Sequence, residues 1–388
     1  MTENYTVTPV DSILHIDAER FRTLMPAHDP FLSHAFLAAL ERHGAAGPRL
    51  GWTAQHLVAR NTRSEIVGVL PLYIKTNSFG EFIYDWSWAR AFEQSGLPYY
   101  PKLFSGIPYT PATGPRLWVI DEDADSIRAV LINAAISLAQ QYQMSSWHVA
   151  FPAKEDHAAL AAAGFMTRHD VQYHWQQRKD NGYVDFDDYL ASFSSDKRRK
   201  VRAERRKVKE ACIAVEALAG DVIAADLWAN LHALYSATFD KYGNYPALSE
   251  ECLAEIGQAL GDRMVVFVAR RGNTPVAVSI CFRNNHTLYG RYWGASERID
   301  GLHFELCYYQ GIEYCLRHGL QRFEPGAGGE HKIARGFEPV QVTTLHWIAD
   351  LNMREVLRRH LLRSADAVDQ YAAEASEHLP FKHSADKD

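Results

Sequence analysis

A glycine-rich loop near the end of the chain holds the densest group of side chains that could carry out chemistry. The loop reads EPGAGGEHK over residues 324–332 and follows a short predicted strand, Gln321–Phe323. A polar, bendable loop just beyond a strand end is where an α/β fold usually places its site. Its residues Glu324, Glu330 and His331 are side-chain types that act as general acids or bases.

A second candidate group opens a long amphipathic segment. The spacing predicts a helix from about Leu302 to His318 that ends at Gly319. His303 and Glu305 stand at its start, and at positions i and i+2 of a helix they point to different faces. Glu305 has two open interpretations. It could act in catalysis, or it could stabilise the helix dipole as a carboxylate near the helix N-terminus.

These two groups allow two carboxylate–imidazole pairs. One joins Glu324 to His331, and the other joins Glu330 to His303. Either pair would supply a base together with the residue that orients it. The spacing of these residues is not that of helical metal ligands, and no cysteine accompanies them, so no metal site is predicted.

An aromatic strand, Leu288–Trp293, precedes the long helix and contains one arginine. Strict alternation places Tyr289 and Arg291 on one face, with Trp293 following on the same face. Aromatic side chains on strands are usually part of the core. Arg291 among them is harder to explain as core, and a guanidinium there could hold an anionic donor.

The clearest charge feature is a basic block. Residues 196–211 read DKRRKVRAERRKVKEA and include nine lysines and arginines. The block is either a solvated helix face or a surface that contacts phosphate groups. No aromatic residue interrupts it, so stacking on nucleic-acid bases is not indicated.

Composition excludes several classes of protein. The chain has 388 residues, a net charge of −6 and 47% hydrophobic residues, which is ordinary for a globular protein and not for a polybasic binder. No apolar run reaches the roughly 18–20 residues of a membrane helix. The N-terminus lacks a signal-peptide pattern, and the five cysteines form no C-x-x-C pair, so we expect a cytoplasmic protein without disulfides.

The order of predicted elements repeats between the two halves. Each half has helices, paired strands, a further strand, a helix and a closing strand, although the halves share no sequence identity. The repeat predicts an internal duplication near residue 180. We therefore expect an α/β fold with mixed sheets in two domains, 1–180 and 181–388, the second ending in a helix.

Several sequence runs resemble the FemAB-like family of N-acyltransferases, whose fold consists of two tandem GNAT-like domains. The runs spread over most of the chain and are PYTPATGPRL (108–117), HW (174–175), the KRRKVRAER block, LYGRYWG (288–294), HFELCYYQGIEY (303–314) and GAGGEHKIARGFEP (326–339). The resemblance implies transfer of an acyl or aminoacyl group to an amine acceptor, a small molecule or a peptide. The implied donor is an acyl-CoA or an aminoacyl-tRNA, with no permanently bound cofactor.

One departure from the GNAT pattern concerns the donor loop. Coenzyme A-dependent GNAT enzymes usually carry R/Q-x-x-G-x-G/A before the long helix, where backbone N–H groups hold the pyrophosphate. Here Arg298 and Gly301 fit that pattern, whereas His303 replaces the last small residue and Asp300 adds negative charge. The donor is therefore left open between coenzyme A and tRNA, and a non-catalytic binding protein on the same fold is a third possibility.

These considerations assign every candidate site residue to a role. The catalytic candidates are Glu330, His331, His303, Glu305 and Glu324. The second domain would hold the donor, with candidates Arg291, Arg298, Gly301, Lys332, Arg335, Lys197, Arg198 and Arg199. The first domain would form the acceptor side, and the acceptor candidates are Asp85, Trp86, Tyr109, Thr110, Arg116, Tyr289 and Trp293.

Overall fold

The computed structural model describes residues 5–24, 29–180, 182–241 and 243–382. The chain divides into two compact units, Met1–Asp170 with Gln341–Asp369 and Val171–Val340 with Gln370–Asp388. The sequence placed all of 181–388 in the second domain, whereas residues 341–369 belong to the first unit. The reason is strand pairing, because residues 344–348 pair antiparallel with residues 146–150 of the first unit.

Short helices and strands alternate through the first part of the chain. Their bounds in chain order are β1 (Thr6–Val10), α1 (Ala18–Thr23), α2 (His34–Arg42), β2 (Trp52–Ala54), β3 (His56–Arg60), β4 (Ile66–Leu70), β5 (Tyr73–Lys75), α3 (Trp86–Gln94), β6 (Lys102–Ser105), β7 (Trp118–Val119), α4 (Ala124–Gln141), β8 (Ser146–Ala150), α5 (Lys154–Ala162) and β9 (Met166–Gln176).

The second part of the chain has longer elements. In the same order they are α6 (Phe186–Ala191), α7 (Ser195–Glu210), β10 (Ile213–Ala219), α8 (Ala225–Lys241), α9 (Glu250–Leu260), β11 (Met264–Arg271), β12 (Thr274–Arg283), β13 (Thr287–Ala295), α10 (Leu302–Phe304), a π-helical turn (Glu305–Tyr309), α11 (Gln310–His318), β14 (Arg322–Glu324), β15 (Glu338–Ile348) and α12 (Leu351–Glu377).

The first unit contains two groups of paired strands. Strands β1, β3, β4 and β7 pair antiparallel in that order. In the other group β2 and β5 pair antiparallel, β5 pairs with β6, and β6 runs parallel to β8. Helix α4 packs its apolar residues, including Ile127 and Leu131, into a core with Trp147 of β8.

The second unit follows the order β10-β11-β12-β13-β14-β9. The pairs are antiparallel except β13 with β14, which is parallel. Strands β11 and β12 read as nearly continuous apolar runs because both of their faces are buried. Helix α8 covers one face so closely that a Cβ on Gly294 would lie 1.8 Å from the carbonyl oxygen of Leu234.

The two units and their mixed sheets confirm the predicted α/β fold. Two local expectations need correction. The helix predicted over residues 302–318 contains the π-helical turn near its start, a feature that a 3.6-residue apolar period does not reveal. Helix α3 begins at Trp86, in a stretch expected to be irregular. It buries Trp88 and Phe92, one turn apart.

Candidate active site

The parallel strands β13 and β14 diverge at the edge where the glycine-rich loop begins. They pair only over Thr287–Tyr289 and Arg322–Glu324. Strand β14 then ends, while β13 continues to Ala295. The loop that leaves β14 is therefore free to approach the helical segment that follows β13, and the candidate site forms between them.

A β-bulge interrupts β13 at the same level. Ile280 pairs with Tyr292 but the next residue, Cys281, pairs with Gly290, so Arg291 is the extra residue. A bulge reverses the inside–outside alternation beyond it. The expectation that Trp293 lies on the face of Tyr289 is therefore wrong: Trp293 packs into the core cluster that contains Leu288.

The π-helical turn places a tyrosine against the loop. The hydroxyl of Tyr308 shares a hydrogen bond of 2.7 Å with Nε2 of His331. A π turn inserts one residue into the helix and so changes which side chains face outward, and such turns are frequent at functional sites. This Tyr308–His331 pair is the central feature of the candidate site.

Aromatic rings surround the pair. The ring of His303 lies 5.2 Å from Trp293, 5.5 Å from Tyr308 and 6.1 Å from His331, measured between centroids. Phe304 lies 5.9 Å from His331. Two predicted catalytic histidines and one predicted acceptor residue, Trp293, are thus brought together by tertiary structure.

The electrostatic setting favours neutral imidazoles. Partial burial, with Lys332 and Arg335 nearby, lowers the pKa of His331 below its usual value. Burial, together with His331 and Arg335, lowers the pKa of His303 to about 4. Burial raises the pKa of the Tyr308 hydroxyl. At neutral pH the site therefore offers imidazoles that can accept a proton and a tyrosine that keeps its own.

Two cations of the loop are held by protein groups. Lys332 donates to the carbonyl oxygens of Gly326 (2.6 Å) and Gly328 (2.5 Å). Arg335 donates to the carbonyl of His331 (2.7 Å) and to the carboxylate of Glu204 (2.7 Å). Both were predicted to bind the donor, and the structure shows them fixing the loop that carries His331.

Glu305, a predicted catalytic residue, is also engaged. It is 5% exposed and accepts two hydrogen bonds from Arg205 of α7, at 3.0 and 2.9 Å. Gln310 donates a third, at 2.8 Å. These contacts attach α7 to the π-helical turn. They favour this structural role of Glu305 over stabilisation of the helix dipole and over catalysis.

The remaining predicted carboxylates lie at two different places. Glu330 accepts a hydrogen bond of 2.7 Å from Tyr371. Glu324 is buried at the end of β14 with Arg322 at 3.1 Å. Neighbouring His174, which was quoted only for the family resemblance, is buried as well, and burial, followed by Arg322, lowers its pKa to about 3.

The other donor candidates are spread over the second unit. Arg298 and Arg199 are exposed, and Lys197 and Arg198 are half-exposed on α7. Gly301 has φ of +86° and lies directly under α7, because a Cβ there would be 2.7 Å from the carbonyl oxygen of Glu204. Its glycine is thus required by helix packing as well as by its backbone conformation.

Acceptor candidates of the first unit are mostly buried. Asp85 accepts hydrogen bonds from Lys102 and Tyr99, both at 2.5 Å, and Lys102 also donates to Glu81 at 2.7 Å. Burial alone would raise the pKa of Asp85, but Lys102 beside it lowers the value overall. Trp86, the next residue, is 59% exposed.

Arg116, Tyr109 and Thr110 are buried elsewhere in the first unit. Arg116 donates to the carbonyl oxygens of Ala150 (2.8 Å) and Ala112 (2.5 Å). The Tyr109 hydroxyl donates to the carbonyl of Ala45 at 2.9 Å. These contacts are internal to the unit. Tyr289, the acceptor candidate on β13, is also buried and accepts a hydrogen bond from Asn284 at 3.2 Å.

Sequence reasoning missed Tyr308 and Glu204. Tyr308 lies within the HFELCYYQGIEY run, where two adjacent tyrosines gave a signal, but only the π-helical turn directs one of them to His331. Glu204 is the one acid within a row of basic residues, a contrast that the sequence does show. Among the described residues, no group of three or more His, Cys, Asp or Glu side chains could hold a metal ion.

No helix in the described parts of the chain combines the length and the apolar character needed to cross a bilayer.

Solved structures with a similar fold include FemX, with a TM-score of 0.53 and 12% identity over 89% of this chain and 99% of that chain. L-PGS from Bacillus licheniformis has a TM-score of 0.52 and 10% identity over 89% and 96%. These similarities define the class of fold, a tandem GNAT-like protein.

A third structure is the C-terminal domain of a lysylphosphatidylglycerol synthetase from Agrobacterium fabrum, with a TM-score of 0.54 and 10% identity over 90% of this chain and 98% of that chain. No curated protein matches the sequence. The chain belongs to the FemAB-like family, described as peptidoglycan biosynthesis/recognition, which matches residues 12–383.

Proposed function

We propose that the protein transfers an acyl or aminoacyl group from an activated donor to an amine acceptor and so forms an amide. The observation that carries this proposal is the 2.7 Å hydrogen bond between His331 and Tyr308 at the edge where β14 ends beside the bulged β13. Membership of the FemAB-like family supports the reaction class. The family description also supports an amine of a peptidoglycan precursor or its peptide as the acceptor.

The pair can perform both proton transfers of the reaction. Neutral His331 accepts a proton from the acceptor ammonium, and the freed amine attacks the acyl carbonyl carbon. The C–N bond forms while the bond from that carbon to the donor sulfur or oxygen breaks. The second proton leaves the nitrogen and reaches the departing thiolate or alkoxide through the Tyr308 hydroxyl, which remains protonated at neutral pH.

Two donors satisfy this scheme, the thioester of an acyl-CoA and the ester of an aminoacyl-tRNA. The replacement of a small residue by His303 in the donor loop favours neither. Incubation of the purified protein with each donor and a panel of amines, followed by mass spectrometry of the amide, distinguishes them. Product with only one donor class identifies the donor.

The decisive variant is His331→Gln. We expect its turnover to fall by about 10²–10⁴-fold, the usual contribution of a general base. Its unfolding free energy should fall by no more than the about 0.5–1.5 kcal/mol of one neutral hydrogen bond. His286→Gln, which alters an exposed histidine in a turn of the same unit, is the matched control. Equal turnover of both variants would refute the assignment of His331.

The family description also includes recognition, so a binding protein without turnover is the second candidate. Saturable binding of peptidoglycan peptides, with no amide formed from either donor class, would favour it over the transferase.

A further inference from the structure

Helix α7 divides the basic block into two faces with different surroundings. The inner face packs Val201 and Val208 into the core and holds the candidate site through Glu204 and Arg205. The outer face carries Arg198, Arg202 and Arg206, which follow one another at every fourth position. Their Cα atoms are therefore spaced about 6 Å apart along the helix axis.

These arginines enclose a depression in the surface. Its volume is about 430 Å³, and it is lined by Ser195, Arg198, Arg199, Arg202, Ala203 and Arg206. Ser195, the first residue of α7, belongs to this lining. The N-cap residue before it, Ser194, makes no side-chain capping bond. Uncapped N–H groups and the positive end of the helix dipole add to the attraction for an anion.

Neighbouring carboxylates only partly neutralise the arginines. Arg199 pairs with Asp196 at 2.7 Å, Arg202 with Asp187 at 3.4 Å, and Arg206 with Glu210 at 3.6 Å. All three pairs are well exposed, and exposed pairs contribute only about 0–1 kcal/mol each. Arg198 forms no ion pair with any residue that the structure describes. A multiply charged anion can therefore displace these carboxylates.

We propose that this depression, the α7 phosphate pocket, binds a compact ligand with two or more adjoining phosphoryl groups. Guanidinium groups bind phosphate oxygens in bidentate fashion, and several of them around one depression favour clustered charge. None of the described residues that line the pocket is aromatic, so they offer no stacking surface for the bases of a single-stranded nucleic acid. This inference does not rest on the proposed acyl transfer.

The test is calorimetric titration of the full chain with pyrophosphate and tripolyphosphate at low and at physiological ionic strength. We expect saturable one-to-one binding, tighter for tripolyphosphate. Arg202→Gln with Arg206→Gln should weaken it by about a hundredfold, or about tenfold for each charge-assisted hydrogen bond that the variant removes. Circular dichroism should show that the variant remains folded, because both side chains are exposed.

The matched control is Lys200→Gln with Lys207→Gln, which removes the same charge from another exposed part of α7. It should weaken binding by less than about threefold, through long-range charge alone. Equal weakening by the two double variants, or no saturable binding of either probe, would overturn the proposal. The proposal would also be overturned if an RNA oligonucleotide or anionic vesicles bound through Arg202 and Arg206 and tripolyphosphate did not compete. The outer face would then bind an extended polyanion.

Discussion

The two units use the same strand arrangement in different ways. In the first unit β6 runs parallel to β8, and in the second β13 runs parallel to β14. At the end of β8, the carbonyl oxygen of Ala150 accepts a hydrogen bond from the buried side chain of Arg116. Beyond β14, the loop instead presents His331, exposed on the surface and hydrogen-bonded to Tyr308.

The charged cluster around Lys102 in the first unit is also closed off from solvent. Lys102 and Asp85 are fully buried and hydrogen-bonded to each other. A buried ion pair of this kind contributes to structure, whereas an exposed imidazole with a depressed pKa is suited to proton transfer. Solvent accessibility, more than the number of charged side chains, therefore distinguishes the candidate active site from the structural network.

The largest effect on stability is expected from Lys102→Met. It leaves Asp85 buried without its cation and Glu81 with only Lys75 at 4.0 Å. Breaking a buried pair costs about 3–5 kcal/mol of unfolding free energy. Urea unfolding measures this change. Lys154→Met, at the exposed start of α5, should change stability by less than about 0.5 kcal/mol. A loss below about 1 kcal/mol for Lys102→Met, on the order of one neutral hydrogen bond, would show that the network is not structural.

A matched pair of tyrosine variants sharpens the comparison. Tyr99→Phe removes a hydrogen bond to the charged Asp85 and should cost about 1.5–3 kcal/mol of stability, against about 0.5–1.5 kcal/mol for Tyr308→Phe, whose partner is neutral. Only Tyr308→Phe should lower turnover in the amide assay while leaving acceptor binding intact. A turnover loss confined to Tyr99→Phe would place the chemistry in the first unit.

Acid should destabilise the first unit through a buried histidine. Burial, followed by Lys102, lowers the pKa of His148 to about 3 in the folded chain, against about 6.5 when unfolded. The folded state therefore disfavours the proton, and this histidine's contribution is complete above pH ~6.5 and declines as the pH falls towards ~3.

Between pH 7 and pH 5 we expect a loss of up to about 2 kcal/mol from His148. His148→Asn should reduce that dependence in urea unfolding at each pH. The share of His346 remains, because this buried histidine contacts His148 and burial lowers its pKa as well. His331→Asn, at an exposed site, should change the dependence little. Equal slopes for wild type and His148→Asn would contradict the assignment.

The smallest stability effect should come from Trp86→Ala. Its side chain is 59% exposed, so unfolding free energy should change by no more than about 0.5 kcal/mol. Trp86 remains our proposal for an acceptor contact in the first unit. A raised KM for the amine at constant kcat would support that role, and an unchanged KM would remove Trp86 from the site.

Much of this fold could be predicted from the chain. Strands such as β11 and β12 follow from apolar runs, helices such as α4 follow from the apolar period, and family motifs indicated the tandem architecture. The loop at 324–332 was predicted to carry the site, and in the structure its His331 is hydrogen-bonded to Tyr308. The partner of His331 was not predicted, because Glu324, the partner expected for it, is nearer in sequence than Tyr308 and carries the charge that orients a base.

Most strands and helices, and the polar segments between them, could be read from the sequence alone, because they depend on local conformational preference and apolar spacing. Tertiary structure decided which charges are buried and which side chains meet. The bulge at Arg291 reversed one strand face, and the π-helical turn brought Tyr308 to His331. Both depend on the packing of segments distant in sequence, where an insertion of one residue redirects every side chain that follows.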